Sequence, residues 1–169
     1  MKPLDSEAGF ILWEVLVTMG ILSVLLAVAI PQGNNMLRRG AVEHEALCLM
    51  SDLRLAQDQA RTATESVKGI SDVTTGSLLG YRRRVRIHGD GYQVFSYGTS
   101  VILRRHACPA EVRMHLANAT YGEDIDFNSF GRPSMGATIN ITLRENGGRE
   151  RVCRQIIIDP AGRIRLASP

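Results

Sequence analysis

One apolar run near the amino terminus constrains this chain more than any other feature. From Phe10 to Ile30 it is interrupted only by Glu14, Thr18, Gly20 and Ser23, and it closes at Pro31. At 1.5 Å of rise per residue, about 20 apolar residues suffice for one transmembrane helix. A secretory signal has a shorter apolar core, of roughly 7–15 residues. The run therefore reads as a membrane span. Glu14 is the one ionisable residue in it. A carboxylate inside such a span is costly and marks a functional position.

After Pro31 the pattern changes. Proline removes a backbone donor and kinks a helix without necessarily ending it. Gln32-Gly33-Asn34-Asn35 is a weak stretch, after which helical periodicity returns. Val42, Ala46, Leu49, Leu53, Ala56 and Ala60 recur at alternating spacings of four and three, one apolar stripe on an amphipathic helix. Arg38, Arg39, Glu43, Glu45, Asp52, Arg54, Asp58 and Arg61 are expected mostly on the other faces. The spacing predicts one long kinked helix from Phe10 to about Ala63, fading over 64–68. Its first half lies in a membrane and its second half packs on a globular domain.

Residues 71–77 are small, polar and turn-rich, and beyond them the period becomes two. Strands are expected at 81–87, 92–97, 101–106, 112–116, 125–127, 137–143, 152–158 and 163–166. Turn signals stand at His88-Gly89-Asp90-Gly91, Asn146-Gly147-Gly148 and Asp159-Pro160-Ala161-Gly162. The fold class is α+β: a long N-terminal helix, transmembrane then amphipathic, packed on an antiparallel β domain. About a hundred residues plus half a helix can bury one ordinary core.

Catalytic chemistry finds little support. His44, His88, His106 and His115 are scattered and read as surface or strand residues, and there is no G-x-S-x-G, P-loop or paired-carboxylate motif. Glu123, Asp124 and Asp126 read as solvated acids of a turn, without the ligand count of a calcium loop. The cysteines Cys48, Cys108 and Cys153 have no metal spacing. No enzyme activity, metal or cofactor is expected. Eighteen of the 20 basic residues are arginines, for a net charge of +3. Alternation places Arg82, Arg84 and Arg86 on one strand face, and Arg163 and Arg165 together on the last strand. Such faces either bind phosphate backbones or are solvated or paired with acids of sister subunits. A net charge this small favours the second reading.

Gly9-Phe10, Glu14 at the fifth position after Gly9 and Pro31 at the twenty-second resemble the type IV prepilin signature. The resemblance implies cleavage between Gly9 and Phe10 by a prepilin peptidase and N-methylation of Phe10. It also implies that Glu14 acts in assembly by meeting the Phe10 amine, of its own chain or of a neighbour, and that Pro31 kinks the helix. The layout then reads as a leader (1–9), a transmembrane helix (10–30), its amphipathic continuation (31–65) and a β domain (71–169). Phe127-Asn128-Ser129-Phe130-Gly131-Arg132, Ile156-Ile157-Ile158 and Gly162-Arg163-Ile164-Arg165-Leu166 are similar to segments of the GspH/FimT-like minor pilins and pseudopilins.

That resemblance implies a minor subunit of a type IV pilus or type II secretion pseudopilus, partnered by other pilins in a helical filament. The implied location is the bacterial inner membrane, single-pass, with the β domain periplasmic or extracellular. Two alternatives stand beside it. One is a DNA-binding minor pilin for natural transformation, since some FimT-like pilins capture DNA through a segment matched by Gly162, Arg163 and Arg165. The other is a plain membrane-anchored β domain. Export permits disulfides, so Cys108 and Cys153, both in the β domain, are expected to pair, leaving Cys48 as a small buried hydrophobe.

Overall fold

The computed structural model describes residues 6–62, 81–97, 101–117, 124–144 and 148–168, with side chains except at 6–11, 81 and 82. Expectations for the first five residues of the leader, the helix fade at 64–68, the turn-rich 71–77, Arg82's side chain, Glu123 and the Asn146-Gly147 turn lie outside the described residues. Helix α1 runs Ser6–Thr62 with Pro31 inside it, and the chain divides into two compact units between Arg38 and Arg39.

In the first unit every side chain from Leu12 to Leu37 is exposed. The helix here is long and apolar enough to cross a membrane. Gln32 to Asn35, expected as a weak stretch, are helical. A single proline removes one hydrogen bond and leaves the next turns free to resume.

The second unit holds residues 39–62 of α1 and eight strands: β1 Tyr81–His88, β2 Gly91–Ser96, β3 Ile102–Ala107, β4 Val112–Leu116, β5 Asp124–Asn128, β6 Ala137–Arg144, β7 Glu150–Ile158 and β8 Ile164–Ala167. They form two four-stranded sheets, β3-β2-β1-β5 and β4-β6-β7-β8, and every pairing is antiparallel. Period-two alternation sends Val85 and Ile87, Tyr92 and Val94, Ile125 and Phe127 inward from the first sheet. Met114, Ile139, Ile141, Ile156 and Ile158 go inward from the second. They join the predicted stripe, Val42, Ala46, Leu49, Leu53, Ala56 and Ala60, in one core. Each fully buried Leu, Ile or Phe contributes about 1.5–3 kcal/mol.

The helix face toward this core is wider than its apolar stripe. Glu45, Asp52 and Gln57 are buried on it as well, at 4%, 3% and 7% exposure, against the expectation that the acids lie on other faces. Glu45 follows Val42 by three and precedes Leu49 by four; Asp52 and Gln57 occupy the same kind of position. Helical neighbours at three and four share a face, and the strands and turns of the β domain supply polar partners for all three.

Candidate functional site

In the first unit, Thr18 Oγ1 donates to the Val15 carbonyl at 2.9 Å and Ser23 Oγ to the Met19 carbonyl at 2.7 Å. Both hydroxyls are thus satisfied within the helix. Glu14 is exposed, and no hydrogen bond or ion pair to it occurs among the described residues. Gly9 and Phe10 lie in the helical backbone of α1.

The second unit answers every polar group on its helix face. Gln57 Nε2 donates to the Gly131 carbonyl at 2.6 Å and to the Gly162 carbonyl at 2.7 Å. These are the glycines of two of the three family-like segments. Both are left-handed, with φ of 71° at Gly131 and 87° at Gly162, a conformation that favours glycine. Asn128 shapes the first turn: its Oδ1 accepts from the backbone N–H groups of Phe130 and Arg132, both at 2.9 Å. In the second turn the Gly162 N–H donates to the Asp159 carbonyl at 2.8 Å. A Cβ at Gly162 would lie 2.7 Å from the Gly131 carbonyl oxygen. The two segments therefore meet at one helix residue, which the sequence reading passes over.

The arginines separate into two states. Arg84 and Arg86 on β1 stand opposite Asp126 and Asp124 on β5 in the strand register. Arg84 Nε and Nη2 donate to the two Asp126 oxygens at 2.7 and 3.0 Å, and Arg86 does the same to Asp124 at 2.6 and 2.9 Å. Such two-pronged, charge-assisted pairs are the strong kind. The Asp126 hydrogen bond raises the Arg84 pKa. The Arg86 hydrogen bond holds Asp124 below the usual carboxylate range. Asp124 and Asp126 are thus strand residues paired with arginines of their own chain, not solvated acids of a turn. Arg163 and Arg165 differ. Their side chains are 83% and 65% exposed, with Asp159 oxygens at 3.5 and 3.9 Å.

All three cysteines are free thiols in the structure, Cys108 and Cys153, the expected pair, included. Cys108 follows β3 of the first sheet and Cys153 lies in β7 of the second, and their thiols have different partners: Glu45 Oε2 at 3.6 Å and the Arg151 carbonyl at 3.4 Å. Cys48 is half-buried, with Sγ 3.8 Å from both ring nitrogens of His44. Burial, then the Glu45 charge, pushes the Cys108 thiol up to about 12. Burial raises Cys48 as well, with Glu45 and Asp52 adding to it.

The buried acids complete the arrangement. Asp52 Oδ2 accepts from the Tyr92 hydroxyl at 2.6 Å and pairs with Arg104 Nε at 2.9 Å. Burial, and then this hydrogen bond, raises the Tyr92 pKa. Glu45 Oε2 lies 2.6 Å from His106 Nε2. The His106 ring stacks on Tyr92 with centroids 5.0 Å apart. No buried side-chain polar atom among the described residues lacks a partner. The sequence reading misses Glu45, Asp52 and His106, although the three-and-four spacing of the acids was a usable signal.

Residues 45–162 match the family model for GspH, a type II transport protein. No curated protein sequence matches the chain. Among solved structures, the chain is similar to the type IV minor pilin FimU of Pseudomonas aeruginosa. The TM-score is 0.52 at 19% identity, over 76% of this chain and 90% of that one. That likeness shows the fold: an N-terminal helix followed by antiparallel sheets. The family match spans most of the chain, including the buried helix face from Glu45 onward and both glycine turns, and on it this chain belongs to the GspH family.

Proposed function

We propose that the chain is a membrane-anchored minor subunit of a type IV pilus or type II secretion pseudopilus. It is cut between Gly9 and Phe10, N-methylated at Phe10, and assembled with other pilins through its apolar half-helix. The β domain faces the periplasm or the exterior from the inner membrane. The observation that carries the reading is Glu14, an exposed carboxylate on an exposed apolar helix, where a bilayer makes an unpaired charge costly. A freed amine at Phe10, one turn away or on the next subunit, is the partner that fits. Repeated head-to-tail contacts of this kind build open filaments. Glu14→Ala is expected to leave membrane insertion intact while removing the protein from sheared filaments, and mass spectrometry of the mature form should find Phe10 first. Normal incorporation of the variant would defeat the role given to Glu14.

A second reading is favoured by the exposure of Arg163 and Arg165. On it, the hairpin between β7 and β8 captures DNA by its phosphates. Affinity should then fall steeply with salt, and Arg163→Ala with Arg165→Ala should flatten the salt slope by roughly one unit for each phosphate no longer bound. A gel-shift titration at two salt concentrations decides it, and binding that ignores the double variant ends this reading.

A further inference from the structure

Three metal-ligating side chains converge at the buried helix face, apart from the glycine turns and from the arginines discussed above. Glu45 comes from α1. His106 belongs to β3, and Cys108 follows just past its end; both side chains reach Glu45 Oε2. The carboxylate oxygen, Nε2 and Sγ lie within 4.8 Å of one another. We propose that Glu45, His106 and Cys108 form a binding site for a zinc-class divalent cation, with solvent at the fourth corner.

The dimensions suit that ion. Zinc bonds of about 2.0–2.3 Å to O, N and S imply ligand-to-ligand edges of roughly 3.3–3.7 Å in a tetrahedron. Cys108 Sγ and Glu45 Oε2 are 3.6 Å apart. His106 Nε2 and Glu45 Oε2 are 2.6 Å apart, a hydrogen bond; a carboxylate swing of under about 1 Å opens this pair to an edge of that length.

The donors are held from behind, as ligating side chains are. The His106 ring stacks on Tyr92, whose hydroxyl is fixed on Asp52. The Cys108 backbone N–H donates to the Asp90 carbonyl at 2.8 Å. Glu45 is nearly fully buried, whereas the His106 side chain keeps 25% exposure, which gives the ion a way in. One thiolate, one imidazole and one carboxylate favour zinc and related transition ions over calcium or magnesium, which take oxygen ligands. Binding releases the Cys108 thiol proton to solvent and ties α1 to the end of β3.

The test uses the full chain in detergent, stripped with a chelator and titrated with Zn(II) against a competing chromophoric chelator, and separately with Co(II). One equivalent should bind. The cobalt form should show tetrahedral d–d bands and a thiolate charge-transfer band. Cys108→Ser should abolish the charge-transfer band and weaken zinc by at least about tenfold, while Cys153→Ser and Cys48→Ser change neither. Glu45→Gln and His106→Gln should weaken binding too. If they unfold the domain, zinc protection of wild-type Cys108 against alkylation tests the site without them. No stoichiometric binding, a charge-transfer band that follows Cys48, or alkylation of Cys108 at the same rate with and without zinc would each overturn the assignment.

Discussion

The two halves of α1 treat their side chains in opposite ways. From Leu12 to Leu37 every side chain is exposed, apolar ones such as Trp13, Leu22 and Leu26 included. From Val42 to Ala60 one face is buried, and its polar members Glu45, Asp52 and Gln57 each meet a named partner from the strands or turns of the β domain. One half is complete within its own chain. The other exposes an apolar surface along its whole length, for which the proposed function supplies a complement from outside the chain: lipid, and the helices of other subunits. The same type of residue, a glutamate, marks both halves. Glu45 has its histidine, whereas Glu14 is exposed on an exposed helix.

The largest effect that could break this contrast is in the core. Leu53, fully buried, should cost about 2–5 kcal/mol as Leu53→Ala. Leu26→Ala in the exposed half should leave the thermal unfolding of the β domain within about 0.5 kcal/mol of wild type. Calorimetry of the detergent-solubilised chain measures both, and equal losses would mean that the two halves are not energetically distinct. A middle-sized effect sharpens the point for polar groups. Gln57→Leu keeps the bulk but leaves the Gly131 and Gly162 carbonyls without their donor, an expected destabilisation of about 1–3 kcal/mol. Denaturant titration reads it, and an unchanged midpoint would show that the two turns hold themselves.

The smallest effect concerns acid. Asp124 is held below its ordinary pKa, first by the Arg86 hydrogen bond. Its contribution is therefore present above the unfolded carboxylate pKa, about 3.9, and is lost as pH falls through the lower folded value. Asp124→Asn should cost no more than about 1 kcal/mol at neutral pH and flatten the decline of stability below about pH 4. Unfolding midpoints measured between neutral and acid pH check it, and a decline as steep as wild type would assign the acid sensitivity to other carboxylates.

Local patterns carried much of this fold in the sequence. The apolar stripe from Val42 to Ala60 shows because helical spacing repeats within a few residues, and β4 at Val112–Leu116 shows because alternation does too. The partners of the buried polar residues did not show, since they arrive from far along the chain. Tyr92 reaches Asp52 across 40 residues, and His106 reaches Glu45 across 61. Asp124 and Asp126 were legible in principle: they alternate with Ile125 and Phe127 as Arg84 and Arg86 do with Val85 and Ile87, and antiparallel register sets such pairs opposite each other. The cysteines carry the same lesson: a shared domain does not by itself bring two thiols together, and those of Cys108 and Cys153 have different neighbours.

The polar contacts of α1 also bear on mechanics. Glu43 to Arg154, Asp52 to Tyr92, Gln57 to the two glycine carbonyls and Arg61 to the Phe130 carbonyl are spread along the helix, a distance of about 27 Å at 1.5 Å per residue. They reach strands and turns of both sheets. A pull along the helix axis would load these clasps in shear, all at once, and the domain would yield only when several fail together. A sideways peel from the end at Arg61 would meet them one at a time. A subunit hung this way is strong along its helix and weak across it.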